Sequence, residues 1–174
     1  MQWFREDYTS MFPKETSQTG IQLRTEMHDM LYGNVLCGKK PKGHWIVVRN
    51  FDRTQFSKYY NKVSNEGVHG PKHPFTDTLI RARTIPYSRK GMDDTFKVAD
   101  INDNGHLYYV EWDVSAKHGD QLYELIWDDH SLTPDLSTVE YDIKYHVRRV
   151  IPKRCDYGNK AYNVIIVEQD DIRY

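Results

Sequence analysis

The sequence predicts a mainly β protein, a single small antiparallel barrel or sandwich with one short N-terminal helix and long projecting loops. Three observations predict it. Short runs rich in β-branched and aromatic residues recur from Trp45 to the end of the chain. Turn-forming clusters separate them, "NDNG" at 102–105, "KHGD" at 117–120 and "DYGN" at 156–159. Only one stretch, near the start, carries a helical spacing of apolar residues.

Taken in order, residues 1–19 read as an extended arm, with Pro13 among hydroxyl and charged side chains, that needs a partner to become ordered. Residues 20–174 form one β-rich domain. In "TGIQLRTEMHDMLYG", Ile21, Arg24, Met27, Met30 and Leu31 follow a spacing near 3.6, which predicts a helix near 20–32. Thr19 is its candidate cap and Gly33 its stop. A polar "GKKPKG" loop leads into the first strand, Trp45 to Phe51. Further strands are expected in "FTDTLIRARTI", "DTFKVADI", "HLYYVEWDV", "QLYELIWDD", "VEYDIKYHVRRVI" and "AYNVIIVEQ". Within His106–Val114, Tyr108, Val110, Trp112 and Val114 share one face, and Glu111 and Asp113 the other. Within Tyr141–Arg148, Tyr141, Ile143, Tyr145 and Val147 alternate with Asp142, Lys144, His146 and Arg148. The alternation breaks at "RRV", which predicts a bulge near Arg149.

Composition narrows the function. The 24 Lys and Arg are balanced by 25 Asp and Glu, so the chain has no overall basic field for nucleic acid. No run approaches the roughly 18 apolar residues of a membrane span, and the N-terminus lacks the apolar core of a secretion signal. A soluble chain made in the cytosol, with no membrane partner, is the expectation. Cys37 and Cys155 match no metal-ligand spacing and read as free thiols. Thirteen Tyr and four Trp are many for this length, and such aromatics suit half-buried sheet faces and protein interfaces.

Four clusters carry candidate chemistry. His69, His73 and Asp77 stand at four-residue intervals, a ligand spacing on a helix. Gly67, Gly70, Pro71 and Pro74 exclude a regular helix there, so the spacing loses its geometric meaning. "WDDHS" sets Asp128 and Asp129 beside a histidine, a pattern a hydrolase could use. Neighbouring strand residues point to opposite faces, so Asp129 reads better as a turn cap. A basic set, Lys144, His146, Arg148, Arg149, Lys153 and Arg154, with Lys39, Lys40 and Lys42 elsewhere, offers phosphate contacts but is diluted by Asp142 and Asp156. Lys144, Arg148 and Arg149 are its DNA-facing candidates. Last, Tyr59, Tyr60, Gly67, Gly70, Pro71, Lys72 and Phe75 form a stiffened loop with aromatic flanks, which loses little entropy on docking.

The order of motifs resembles that of tailed-bacteriophage head-completion proteins, the head–tail connectors of the virion neck. The resemblance rests on "HWIVVRNFD" (His44–Asp52), "SKYYNKVSNEGVHGPKHPFTDTLIRAR" (Ser57–Arg83) and "IWDDHSLTPD" (Ile126–Asp135). A basic strand and a Tyr/Val/Ile strand follow. It spans roughly residues 20–168, is sharpest over Tyr59–Arg83, and departs at His69, where a small residue is the expected neighbour of "GPK". It implies a non-enzymatic ring subunit without a cofactor, in six or twelve copies, between portal or adaptor and tail proteins. Such a ring sits at the head–tail junction, is assembled in the host cytoplasm and helps retain packaged DNA through non-specific contacts. Tail-terminator and baseplate components are close alternatives. A metal-dependent hydrolase built on His69, His73 and Asp129 is the competing reading from another class.

Overall fold

The computed structural model describes residues 18–52, 75–86, 105–154 and 160–169. Helix α1 spans Gln18–Tyr32 and is followed by a single turn of 3-10 helix at Val35–Cys37. The strands are β1 (His44–Phe51), β2 (Phe75–Pro86), β3 (Gly105–Glu111), β4 (Gln121–Ile126), β5 (Glu140–Arg154) and β6 (Lys160–Gln169). They close into an antiparallel barrel in the order β1-β2-β3-β6-β5-β4, with β4 returning to β1. The seam between β2 and β3 is short, paired only over Arg83–Pro86, whereas β1 and β2 pair from Phe75 to Ala82. The expected arm up to residue 17, the strand "DTFKVADI" and the "DYGN" turn lie outside the described residues, as does Cys155.

Alternation builds the interior. Ile46 and Val48 of β1 face Ile80 and Ala82 of β2, Tyr108 and Val110 of β3, and Leu122 of β4. Tyr145 and Val147 of β5 and Ile165 and Val167 of β6 complete that core. The run "VIIV" in β6 is buried on both faces, because Leu107, Ile151, Val164 and Ile166 form a second cluster on the outer side of β3, β5 and β6. α1 packs across β6, β3 and β2.

Three local expectations are corrected. α1 starts at Gln18, so Thr19 lies within the helix and does not precede it. β3 ends at Glu111, where a turn closed by Val114 N–H donating to the Glu111 carbonyl (3.3 Å) takes over. Val114 still packs on the core, whereas Trp112 swings out to lie under the Arg24 guanidinium, 3.9 Å from its ring centre. β4 ends at Ile126, so "WDD" is outside the sheet.

A further correction concerns β5. The pairing of β4 with β5 slips between Tyr123–Lys144 and Leu125–Tyr141, which places one extra β5 residue between them. That slip turns Tyr141 to the outer face, away from Ile143, Tyr145 and Val147. The bulge expected near Arg149 is present: Val147 pairs with Val167 and Arg149 with Ile166, leaving Arg148 as the extra residue. Gly33 does stop the helix. Its φ is +80°, its N–H donates to Asp29, and a Cβ there would meet Lys39 O and Pro41 at 2.9 Å.

Candidate functional site

Four arrangements of polar or exposed side chains stand out. The first lies inside one end of the barrel. His44, Thr84, His106, Tyr108, Glu124 and Tyr145 all occupy inward positions of their strands. Tyr108 Oη donates to Glu124 Oε1 at 2.5 Å, and His44 Nε2 stands 3.8 Å from the same oxygen. The His106 ring meets the Tyr145 ring edge-on at 5.3 Å. His44 beside it, and the Tyr108 hydroxyl, hold the Glu124 carboxyl below its ordinary range against the opposing effect of burial. Burial and the neighbouring carboxylate push the Tyr108 hydroxyl well up, so it remains a donor. The network latches three strands together, and its carboxylate is occupied from within the chain. A glutamate at the inward position of "QLYELI", two residues from Leu122, was the sign of it in the sequence.

The second arrangement is on the outer face of β1 and β2. Arg49 and Asp77 are register partners, and Arg49 Nε and Nη2 reach the two Asp77 oxygens at 2.7 and 2.8 Å. Tyr141 Oη donates to Asp77 Oδ2 at 3.0 Å. The guanidinium lies 3.8 Å from the Phe75 ring centre and 4.9 Å from that of Tyr123. Hydrogen bonding from Arg49 holds the Asp77 carboxyl below its usual range. Asp77 is therefore engaged in an ion pair, while its proposed companions His69 and His73 lie outside the described residues.

The third is a clamp around Arg81, which is only 4% exposed. Its guanidinium donates to the carbonyls of Leu31, Gly43 and His130 and stacks on Trp45, 4.6 Å from the ring centre. It ties the end of α1, the loop before β1 and the 127–139 loop to the barrel wall. Nothing in the local pattern around Arg49 or Arg81 marks either arginine for such a role.

The fourth is a knuckle after α1. Asn34 and Lys39 exchange backbone hydrogen bonds at 2.8 and 2.9 Å, and Gly38 closes the turn in a left-handed conformation. Asn34 Nδ2 and Lys39 Nζ both reach Asp29 Oδ2, at 3.2 and 3.6 Å. Held at the tip, Val35 is 96% and Leu36 97% exposed, and Cys37 beside them is a free, exposed thiol.

The predicted site residues divide accordingly. Phe75 is described, half-exposed at the start of β2; Tyr59, Tyr60, Gly67, Gly70, Pro71 and Lys72 lie outside the described residues. Lys144, Arg148 and Arg149 are all exposed on β5. Arg148 is ion-paired, its Nε and Nη2 each 2.6 Å from Glu168 Oε2, so a phosphate would compete with that carboxylate for the guanidinium. Asp129 does cap a turn: its Oδ1 accepts the Ser131 N–H at 3.0 Å and the Ser131 hydroxyl at 2.5 Å. Those bonds keep its carboxyl below the ordinary range. Asp128, Asp129 and His130 are all exposed. Among the described residues, no group of three or more His, Cys, Asp or Glu side chains is placed to hold a metal ion.

Comparison with protein-family models, with curated proteins and with solved structures finds no match to this chain.

Proposed function

We propose that this chain is a non-enzymatic structural subunit of a tailed-phage virion, acting at the head–tail junction by docking to neighbouring subunits. The observation that carries the reading is the knuckle. Two aliphatic side chains stand almost wholly in water on a turn held by paired backbone bonds and Asp29. Ordered exposure of this kind marks a protein contact, because covering those side chains recovers hydrophobic free energy at little further cost in chain entropy. The carboxylates that a hydrolase would use are engaged elsewhere, Asp77 by Arg49 and Asp129 by Ser131. Shape and contact, with no reaction, then make up the function. The exposed basic residues of β5 add non-specific phosphate contacts to DNA passing the junction.

The test is to tag the chain and find it in virus particles from its source. Label at the head–tail junction is the expected outcome. Label at the distal tail keeps the structural role and moves the subunit to the baseplate. Particles without the chain overturn the reading.

A further inference from the structure

One side of β2 is only partly used. From Phe75 to Arg81 its edge away from β1 meets no strand among the described residues. The Arg81 N–H gives the phase of that edge. It donates to the Tyr32 hydroxyl at 3.2 Å, so it points away from β1 although Arg81 and Trp45 are register partners. Alternate residues of an antiparallel strand direct their N–H and C=O groups to the same side. Leu79 and Asp77 therefore present theirs on the same edge, while Ile80 and Thr78 bond to β1. Tyr32 covers the edge at Arg81. Among the described residues no group bonds to the main chain of Leu79 or Asp77 on that side, and Thr78, Thr76 and Phe75 around them are exposed. Such an edge is a template for another strand. Beside it, over the core, lies a cavity of about 280 Å³ whose polar lining includes Asn50, Thr78, Asp113 and Ser115. Glu111, also on that cavity, is bonded to His28, but Asp113 is exposed and forms no ion pair with a described residue.

We infer that the Phe75–Arg81 edge of β2 takes up an extended segment of a different protein as an added strand, with a basic side chain of that segment directed at Asp113. Main-chain bonds to Leu79 and Asp77 supply the affinity, and the side chains between them the selectivity. Residues of the added strand that bond to Leu79 and Asp77 share their outward face. The residue between, level with Thr78, points inward to the cavity that Thr78 and Asp113 both line. A lysine or arginine there meets an unpaired carboxylate. A second copy of this chain is the poorer occupant, because pairing edge to edge would bring two Asp113 side chains to one seam. The surface is separate from the knuckle, and the inference does not depend on the virion reading.

The probe is a blocked peptide of alternating valine and lysine, about seven residues long. It is titrated to about 1 mM, where even weak contacts are populated, against the isotope-labelled full chain and followed by NMR. The Leu79 and Asp77 amide signals should move, and their hydrogen exchange should slow at least tenfold. Methyl groups on the valine nitrogens, which would face β2, should weaken binding at least tenfold; methyl groups on the lysine nitrogens should not. A peptide of valine and glutamate should bind at least tenfold more weakly than the lysine peptide, and Asp113→Asn should remove that preference. Leu79→Pro deletes an N–H that β1 does not use, so the chain should fold and lose the peptide. If it fails to fold, the contrast between the two methylated peptides still decides. Leu79 and Asp77 amides already protected in the free chain, no shift with the lysine peptide, or equal losses from both methylation patterns overturn the inference. Equal binding of the lysine and glutamate peptides overturns its basic partner. Shifts of the same amides on concentrating the chain alone mean that a second copy takes the edge, and overturn it too.

Discussion

Arg49 and Arg81 lie on the same outer face of the same pair of strands, each directly across from its partner in register, yet they are neutralised in opposite ways. Arg49 faces Asp77, gains both carboxylate oxygens and is overlaid by Phe75 and Tyr123. Arg81 faces Trp45, is more deeply buried, and has three backbone carbonyls in place of an anion. The carboxylate raises the Arg49 pKa; burial lowers that of Arg81. Arg49 thus illustrates a charge-assisted pair within one sheet. Arg81 illustrates a cation used as a multi-armed donor, binding loop and helix ends whose carbonyls would otherwise be left without partners.

The largest effect is expected from breaking the second kind. Arg81→Met keeps much of the volume over Trp45 but removes the donors that hold the Gly43 and His130 carbonyls. A loss of about 3 kcal/mol is expected, read as a lower urea midpoint with an unchanged slope. The 127–139 loop should also become more open to protease. A variant as stable as the parent would mean that desolvating the cation costs as much as its three bonds return. Arg81 would then be a tolerated burden and not a clamp.

These two arginines also mark where the sequence stopped being legible. The barrel class, the helix stop at Gly33, the bulge beside Arg149 and the turn cap at Asp129 follow from local chemistry, and local chemistry is what a sequence displays. Arg49 and Arg81 sit at outward positions of alternating strands, where alternation alone assigns them to solvent. Their burial depends on which residue lies opposite on a strand about 30 residues away, and on the helix that covers Arg81. Register also sets the slip in β5: strict alternation puts Tyr141 with Ile143 and Tyr145, whereas the extra residue turns it outward. The knuckle is harder still. "NVLCG" reads as apolar residues due for burial, and only the closed Asn34–Lys39 turn reveals that they point into water. Of the docking candidates, Phe75 alone falls among the described residues.

The middle effect belongs to the first kind of pair. Asp77→Asn keeps the shape but removes the charge facing Arg49, and a loss of about 2 kcal/mol is expected at neutral pH. The pH dependence has a definite sign. The folded-state pKa of Asp77 is depressed, chiefly by hydrogen bonding from Arg49, so its contribution is complete above the unfolded carboxylate value, about 4. It fades as pH falls through the folded value. The stability gap between parent and Asp77→Asn should therefore be constant from pH 7 to 5 and narrow in acid. A gap that is the same at pH 7 and pH 2 would show that the ion pair is not its source.

The smallest effect tests the turned-out tyrosine. Tyr141→Phe removes the hydroxyl that donates to Asp77 Oδ2 and leaves the ring stacked on Tyr123, 4.9 Å between centres. About 1 kcal/mol should be lost, and the acid limb of the stability curve should move to slightly higher pH, because one of the bonds depressing the Asp77 pKa is gone. The decisive comparison is the same substitution in the Asp77→Asn chain. If Tyr141 acts through the carboxylate, its removal there should cost under half as much, since a neutral amide is a weaker acceptor for the hydroxyl. Equal losses in the two backgrounds would mean that the hydroxyl serves some other partner. The aromatic cover over Arg49 would then stabilise the pair through its ring faces alone, at the strength of a cation–π contact.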